Sequence, residues 1–188
     1  MSTTPDLEPL LDWFHDSGWE AFPFQRETWS AYLRGESGLV HAPTGMGKSY
    51  AAWGGPLLEY RLEHDTVPDE PPPIRVLWIT PLRALAADLT LNLTALVRGL
   101  DLPWTVAART GDTTQAERTR QRKRLPSTLV TTPESLSLLL SYKDAPQRFR
   151  HLRCVVVDEW HELLSTKRGV QTELGLARLR TLAPGLRT

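Results

Sequence analysis

The stretch that decides the fold is Ala-Pro-Thr-Gly-Met-Gly-Lys-Ser at residues 42–49. It follows a short apolar run at residues 38–42, which predicts a buried strand, and it precedes a helix-prone run that starts at Lys48. Gly45 and Gly47 allow the backbone to turn its N–H groups inward around an anion, and the helix N-terminus beyond them adds a partial positive charge. A strand, a glycine-rich turn, Lys-Ser and a helix in this order predict a phosphate-binding loop.

The side chains of this loop suit a nucleoside triphosphate and its Mg²⁺ ion. Lys48 is expected to reach the β- and γ-phosphates, and the hydroxyl of Ser49 to be a ligand of Mg²⁺. The general pattern has glycine where this chain has Ala42. This departure indicates a particular subclass of phosphate-binding loops more than it weakens the prediction of such a loop. The alternative is a chance glycine-rich turn between a strand and a helix. The predicted nucleotide-binding residues of the loop are Thr44, Gly45, Met46, Gly47, Lys48 and Ser49.

A second stretch, Arg-Cys-Val-Val-Val-Asp at residues 153–158, is a β-branched run that ends in an acid, as expected of a buried parallel strand. In open α/β sheets, ligands bind beyond the carboxyl ends of the strands. Asp158 is therefore predicted to hold Mg²⁺, directly or through water, and Glu159 to polarise the attacking water as a general base. The alternative is a strand that ends in solvated acids; the phosphate loop upstream favours the catalytic interpretation.

Composition and charge narrow the class of protein. The 188 residues are 40% hydrophobic and 23% charged, which is ordinary for a soluble globular domain. The net charge is zero, so any nucleic-acid binding must come from local patches. The single cysteine, Cys154, excludes a disulfide framework and favours a reducing compartment. Residues 1–6 do not resemble a signal peptide and no run of 18 apolar residues exists, so a cytoplasmic location is expected.

Strands and helices alternate along the chain. This alternation predicts an α/β fold, a doubly wound and mostly parallel sheet flanked by helices. Gly54, Gly55 and Pro56 are expected to kink or end the helix that follows the phosphate loop, and residues 64–73 to form a surface loop. Further strands are predicted at residues 74–80, 104–108, 129–132 and 153–158. Further helices are predicted at residues 7–17, 24–33, 82–100, 113–124, 133–142 and 171–181.

The two stretches resemble those of a known family. With Asp-Glu-Trp-His at residues 158–161, the chain resembles the first RecA-like domain of a superfamily-2 helicase. Tryptophan at the third position makes it similar, more narrowly, to the Lhr-type, ligase-associated DExH-box DNA helicases of bacteria. The resemblance covers almost the whole chain and implies ATP and Mg²⁺ as ligands. It implies an N-terminal helical segment with an adenine-recognition motif at residues 1–35, and an incomplete RecA-like domain, truncated at its C-terminal end, at residues 36–188.

The resemblance also assigns roles to two residues outside the loop. Residues 22–29 resemble the segment that recognises adenine in this family, in which Gln25 would hydrogen-bond the adenine edge. The alternative for Gln25 is an ordinary residue at a helix N-terminus. In such proteins the residue at His161 helps to couple the nucleotide state to a neighbouring motif and a second domain.

Three further segments resemble helicase motifs that line the nucleic-acid path. Each follows a predicted strand, so that threonine hydroxyls and helix N-termini can hold phosphates without reading bases. Arg83 and Arg109 would add charge. The alternative is that all three are ordinary capped helix starts. The predicted nucleic-acid residues are Thr80, Pro81, Arg83, Arg109, Gly111, Asp112, Thr131, Thr132, Pro133 and Glu134.

A basic cluster on the predicted helix at residues 113–124 stands apart from these motifs. Its cationic side chains could contact a phosphate backbone, although a solvated helix face is the slightly favoured interpretation. The members of the cluster are Arg118, Arg120, Arg122, Lys123 and Arg124.

The function implied by the resemblance is an ATP-dependent DNA helicase that couples ATP hydrolysis to translocation on nucleic acid, with a role in DNA repair. Its partner would be single-stranded or partly duplex nucleic acid, DNA favoured over RNA. The family pattern continues with a Ser-Ala-Thr motif and a second RecA-like domain, so the 188-residue chain alone is expected to be nearly inactive. The alternatives are an RNA helicase, another phosphate-loop enzyme such as a nucleotide kinase, and a catalytically inert nucleic-acid-binding fragment.

Overall fold

The computed structural model describes residues 6–64 and 66–188 and has the predicted α/β architecture. Most of the stretch on which the expectation of no signal peptide rests, residues 1–5, lies outside the described residues. The helices are α1 (Glu8–Asp16), α2 (Pro23–Leu33), α3 (Lys48–Leu62), α4 (Leu85–Gly99), α5 (Gln115–Lys123), α6 (Pro133–Ser141), α7 (Ala145–Phe149), α8 (Trp160–Leu163) and α9 (Lys167–Leu182). The strands are β1 (Val76–Ile79), β2 (Val106–Arg109), β3 (Thr128–Thr131) and β4 (Cys154–Val157).

The strands form one parallel sheet in the order β2-β3-β1-β4. Ile79 is in register with Thr131 on one side and with Val157 on the other, and Arg109 is in register with Thr131. The four strands therefore end at one edge, from which the loops that carry the predicted motifs depart. Strands β1 and β3 are buried along their whole length, which explains why their sequences are continuous runs rather than alternating patterns.

The chain groups into two compact units. The loop unit contains the residues up to Glu70, together with Leu93–Pro103 and Arg187. The sheet unit contains Pro71–Asn92, Trp104–Leu186 and Thr188. Within the loop unit, α2 packs against α3, the helix of the phosphate loop. The division at residue 35 stays a prediction.

Helix α3 runs through the glycines and the proline that were expected to kink or end it. A Cβ atom on Gly54 would lie 2.5 Å from Nε1 of Trp29, and one on Gly55 would lie 2.7 Å from Cγ of Tyr32. These glycines therefore allow α2 to approach α3 closely. Of the two expected outcomes, a kink or an end, the end does not occur, since this tertiary packing offsets the backbone hydrogen bond that Pro56 cannot donate.

The strand predicted at residues 38–42 is not formed. Leu39 is 84% exposed, and no described strand pairs with this segment. A strand needs a neighbour for its backbone hydrogen bonds, so a short apolar sequence is not sufficient to make one.

The core of the sheet unit consists of strand residues packed on α6, α7 and α9, with Leu77, Leu129 and Val155 fully buried. The other predicted strands and helices are confirmed to within a few residues. The short helices α7 and α8 were not predicted, because four or five residues carry too little periodicity. Among the described residues, no helix is long and apolar enough to cross a membrane.

Candidate functional site

The phosphate loop has the backbone conformation that its glycines predict. Gly45 and Gly47 have φ angles of +84° and +76°, in the left-handed region that glycine adopts at little cost. Gly47 is the N-cap of α3 and Lys48 is its first residue, so the unsatisfied N–H groups of the first helical turn begin at the loop. Pro43, Thr44 and Gly45 are exposed. The loop therefore presents a helix N-terminus and backbone donors to solvent, which is an anion site.

Gln25 supports this loop through a hydrogen bond from its buried side chain. Its side chain is 1% exposed; Oε1 accepts a hydrogen bond from the backbone N–H of Phe22 (2.8 Å), and Nε2 donates to the carbonyl of Gly47 (3.0 Å). A Cβ atom on Gly47 would lie 2.6 Å from Nε2 of Gln25, so glycine is needed there for space as well as for φ. An amide has two donor hydrogens and two acceptor lone pairs, so one of each is left after these bonds. The adenine contact of Gln25 stays a prediction, but its bond to the loop was not foreseen.

The ammonium group of Lys48 bends back over the start of the loop. Its Nζ donates to the carbonyls of Ala42 (2.9 Å) and Pro43 (3.3 Å). Both acceptors are neutral, and a phosphate oxygen would be a stronger, charge-assisted acceptor for the same donors. The hydroxyl of Ser49 follows in the first turn of α3 and is half-buried.

Asp158 is held at the end of β4 by the sheet. Its backbone N–H donates to the carbonyl of Ile79 (2.8 Å), which continues the parallel ladder by one residue. Its carboxylate accepts from Nε1 of Trp78 (3.3 Å) at Oδ2 and from the N–H of Glu159 (3.0 Å) at Oδ1. These bonds give the carboxylate a defined orientation. No group of three or more ligating side chains occurs among the described residues, and a single carboxylate fits Mg²⁺, which commonly takes one or two carboxylates plus phosphates and waters.

Glu159 has a strained backbone. Its φ angle is +45°, in the left-handed region, which costs a residue with a side chain on the order of 1–3 kcal/mol. The turn leaves Oε2 of Glu159 3.5 Å from Nδ1 of His161. His161 is exposed, and its Nε2 lies at the same distance from Oε1 of Glu162. The strain, placed directly after the metal-binding candidate, marks this turn as a candidate functional element.

The threonines of the strand-end motifs are largely used inside the protein. The backbone N–H of Thr80 donates to the carbonyl of Thr131 (2.9 Å), and the hydroxyl of Thr131 donates to the carbonyl of Arg109 (2.8 Å). The hydroxyl of Thr132 caps α6 by accepting from the N–H of Ser135 (3.4 Å). All three threonines are buried, so their side chains shape the turns.

The two arginines of these motifs have different environments. Arg109 is 5% exposed and donates to Oε1 of Gln121 (3.3 Å), and burial lowers the pKa of its guanidinium. The side chain of Arg83 is 56% exposed and lies 3.8 Å from Oδ1 of Asp112. A Cβ atom on Gly111 would lie 2.7 Å from Arg83, so Arg83 extends over the turn that contains Gly111. Of the two arginines, the structure places Arg83 alone as a surface charge.

Arg168 was not predicted as a site residue, although it joins α9 to two of the strand-end segments. From the start of α9 its Nε donates to Oε1 of Glu134 (2.5 Å), and its NH1 donates to the carbonyl of Pro81 (2.9 Å). Burial alone would raise the pKa of Glu134, but the hydrogen bond from Arg168, the backbone and Thr132 outweigh burial and lower it. Arg168 lies in the stretch at residues 167–171 that follows Asp-Glu-Trp-His, yet no spacing in the sequence indicates its partners.

The loop, the acid turn and the strand-end motifs occur together in one known family. A model of DEAD/DEAH box helicases matches residues 22–187, which is most of the chain. The chain belongs to the DEAD/DEAH box helicase family.

Similar proteins narrow the resemblance within this family. The chain is 36% identical over 188 residues to ATP-dependent helicase Lhr-Core protein 2 of Thermococcus barophilus, covering 94% of this chain and 21% of that protein. It is 34% identical over 211 residues to the Lhr helicase/uracil glycosylase of Escherichia coli, covering 97% of this chain and 13% of that protein. The structure of Mycobacterium smegmatis helicase Lhr bound to ssDNA and AMP-PNP superposes with a TM-score of 0.79 at 36% identity, covering 92% of this chain and 22% of that chain.

The predicted Lhr-type resemblance and the RecA-like fold are thereby confirmed. The chain spans about a fifth or less of the length of these relatives. It therefore corresponds to one part of a larger helicase in each of them.

Proposed function

We propose that this chain is the ATP-binding motor segment of a DNA helicase that couples ATP hydrolysis to movement along a nucleic-acid strand. The observation that carries the proposal is the phosphate loop: two left-handed glycines, a helix N-terminus and Lys48, with the buried Gln25 bonded to Gly47. A loop held in this form before a ligand arrives loses little freedom on binding, which favours affinity.

Each site residue has a role in this proposal. In the loop, Lys48 neutralises the β- and γ-phosphates and Ser49 is a ligand of Mg²⁺. On α2, the remaining N–H group of Gln25 donates a hydrogen bond to adenine. At the end of β4, Asp158 is a ligand of Mg²⁺ and Glu159 the general base. Bound Mg²⁺ would neutralise the charge that develops on the phosphates. His161, exposed beside Glu159, would couple the nucleotide state to neighbouring elements.

DNA is the proposed polymer. Arg83 is an exposed cation at the carboxyl edge of the sheet, and helix N-termini such as that of α6 lie at the same edge. Contacts of this kind position a phosphate backbone without reading its bases. The M. smegmatis relative binds ssDNA in its structure, and the E. coli relative is named for a uracil glycosylase activity, an enzyme class that acts on bases in DNA. These two relatives support DNA over RNA and a role in DNA repair.

The test of nucleotide binding is titration of the 188-residue chain with a fluorescent ATP analogue and Mg²⁺. We expect saturable binding that is weakened at least about ten-fold in Lys48→Ala and in Asp158→Ala, since each change removes a charge-assisted contact worth roughly 1.5–3 kcal/mol. Lys143→Ala and Asp69→Ala, at exposed positions, are the matched controls. Equal affinity of all five proteins would contradict the proposal.

Turnover is expected to be slow in the 188-residue chain. In phosphoryl-transfer systems an arginine finger supplied from elsewhere contributes on the order of 10³- to 10⁵-fold. Phosphate release stimulated strongly by single-stranded DNA in the purified chain would show that the chain needs no such contribution.

A further inference from the structure

The five cations of the basic cluster on α5 do not share one environment. Arg118 donates to the carbonyls of Thr113 and Gly111, both at 2.8 Å, and so ties down the turn before the helix. Arg120 pairs with Glu117 (3.1 Å), and the guanidinium of Arg122 lies over the ring of Tyr142, 4.9 Å from its centroid. These three side chains already have protein partners, and the cluster is not a uniform solvated face.

Lys123 and Arg124 belong to a different feature, a groove of about 430 Å³ in the sheet unit. Ile74, Leu125 and His151 line it, each shortly before a strand, so the groove lies at the amino-terminal edge of the sheet. This edge is opposite the one where the strand-end motifs and Asp158 depart. We call this feature the basic groove; its charged and histidine lining is Lys123, Arg124, Asp144, Arg148, Arg150 and His151.

The side of the basic groove formed by α7 is rigid and has little negative charge. Arg148 donates to the carbonyls of Gln121 and Arg122 at the end of α5, and to Oδ2 of Asp144 (2.7 Å). Asp144 is the only carboxylate among the described residues that line the groove, and its hydrogen bond from Arg148 lowers its pKa. The pairing with Arg148 offsets the one acidic charge and also fixes α7 against α5.

Other cations of the basic groove have no acidic partner. Lys123 and Arg150 are exposed and form no ion pair with any residue that the structure describes. Burial lowers the pKa of His151, and the positive charges of Arg150, Arg153 and Arg75 lower it further. Positive side chains are therefore gathered around the groove in a chain whose net charge is zero.

We infer that the basic groove binds the phosphodiester backbone of a nucleic acid, as a second contact at the edge of the sheet opposite Arg83. Several cations without an acidic partner, arranged along an open groove, suit a polymer with regularly spaced charges, which can meet them together and release its counterions. No phenylalanine, tyrosine or tryptophan of the described part of the chain lines the groove, so binding depends on charge rather than on base sequence. The choice of nucleic acid as the polyanion rests on the proposed function.

The test is the salt dependence of binding of a fluorescein-labelled single-stranded DNA, measured by anisotropy on the 188-residue chain. In the double variant Lys123→Glu/Arg150→Glu we expect affinity to fall roughly ten-fold or more at low salt, and the slope of log K against log salt to become shallower by about 1.4, which is two contacts on a single strand. The matched control is Arg98→Glu/Arg178→Glu, which makes the same charge change at two exposed positions outside the groove. Thermal unfolding midpoints of both double variants equal to that of the wild type establish that they fold.

Equal affinity and slope in the two double variants would overturn the inference. A third variant, Arg83→Glu, separates it from the proposed function. If Arg83→Glu weakens DNA binding and the groove variant does not, the inference about the groove is wrong and the proposed function is unaffected. If the groove variant weakens DNA binding and Arg83→Glu does not, the groove is supported and the predicted nucleic-acid path at Arg83 is excluded. A wild-type chain that binds no strand overturns the groove together with the DNA-binding part of the proposed function.

Discussion

The phosphate loop and the acid turn at Asp158 are built by different means. The loop depends on two glycines with positive φ and on one buried side chain, Gln25, that reaches it from another helix. The acid turn is held by the sheet, because the N–H of Asp158 extends the ladder to Ile79. A loop without a strand to support it needs residues that fit its backbone, whereas a turn anchored on a buried sheet can hold a strained residue such as Glu159.

The largest predicted effect is a loss of stability at Gly169, in the tightly packed segment after the acid turn. A Cβ atom there would lie 2.1 Å from the carbonyl oxygen of Leu163. We expect Gly169→Ala to lower the free energy of unfolding by about 3 kcal/mol, since backbone atoms cannot give way as a side chain can. Chemical denaturation measures it, with Gly38→Ala, which meets nothing within 4 Å, as the control. Equal stability of the two variants would mean that this end of the acid turn is not rigid.

The next prediction distinguishes two reasons for glycine in the phosphate loop, the space around its Cα atom and its positive φ angle. Gly45 and Gly47 both have positive φ, but a Cβ atom at Gly45 meets nothing within 4 Å, whereas at Gly47 it meets Gln25. We expect Gly45→Ala to cost about 1 kcal/mol of unfolding free energy, and Gly47→Ala about 2 kcal/mol. The difference between the two variants, measured by denaturation, is the packing cost. A smaller loss of unfolding free energy in Gly47→Ala than in Gly45→Ala would mean that Gln25 does not support the loop.

Replacing Gln25 itself should cause a smaller but measurable loss of stability. Gln25→Leu leaves the N–H of Phe22 and the carbonyl of Gly47 without their partner, and we expect a loss of about 1–2 kcal/mol in unfolding free energy. Affinity for the fluorescent ATP analogue should fall as well, because the loop loses its support. Gln171→Leu, at an exposed position, is the control. Unchanged stability and affinity would mean that the glycines hold the loop unaided.

The smallest predicted effect is a gain in stability at the acid turn. Asparagine adopts the left-handed region more readily than glutamate, so Glu159→Asn should raise the unfolding free energy by about 0.5 kcal/mol. Glu159→Gln keeps the longer side chain and the same unfavourable φ, and it should leave stability unchanged. A thermal melt of the three proteins distinguishes them. If Glu159→Asn were no more stable than Glu159→Gln, the turn would not be strained.

Particular elements show how far sequence patterns reach. The four strands of the sheet and the longer helices α4, α5, α6 and α9 were predicted where apolar runs or periodic patterns were long and where threonine or proline marked a helix start, as at Thr114 and Thr132. The helix that was expected to kink or end at residues 54–56 continues to Leu62, and the strand expected at residues 38–42 is not formed. In both cases the outcome depends on what packs against the segment: α2 lies on the glycines of α3, and no described strand pairs with residues 38–42.

The sequence by itself determined the family, the phosphate loop and the acid turn, because their chemistry depends on residues close together in the chain: two glycines before Lys-Ser, and two acids after a buried strand. Only the tertiary structure decided that Gln25 supports the loop and that Arg109 is buried while Arg83 is exposed. It also decided that Arg168 joins two motif segments to α9. It also showed that two side chains of the basic cluster, Lys123 and Arg124, line a groove. The physical reason is that hydrogen bonds, burial and unpaired charge depend on contacts between residues distant in sequence, which spacing along the chain does not specify.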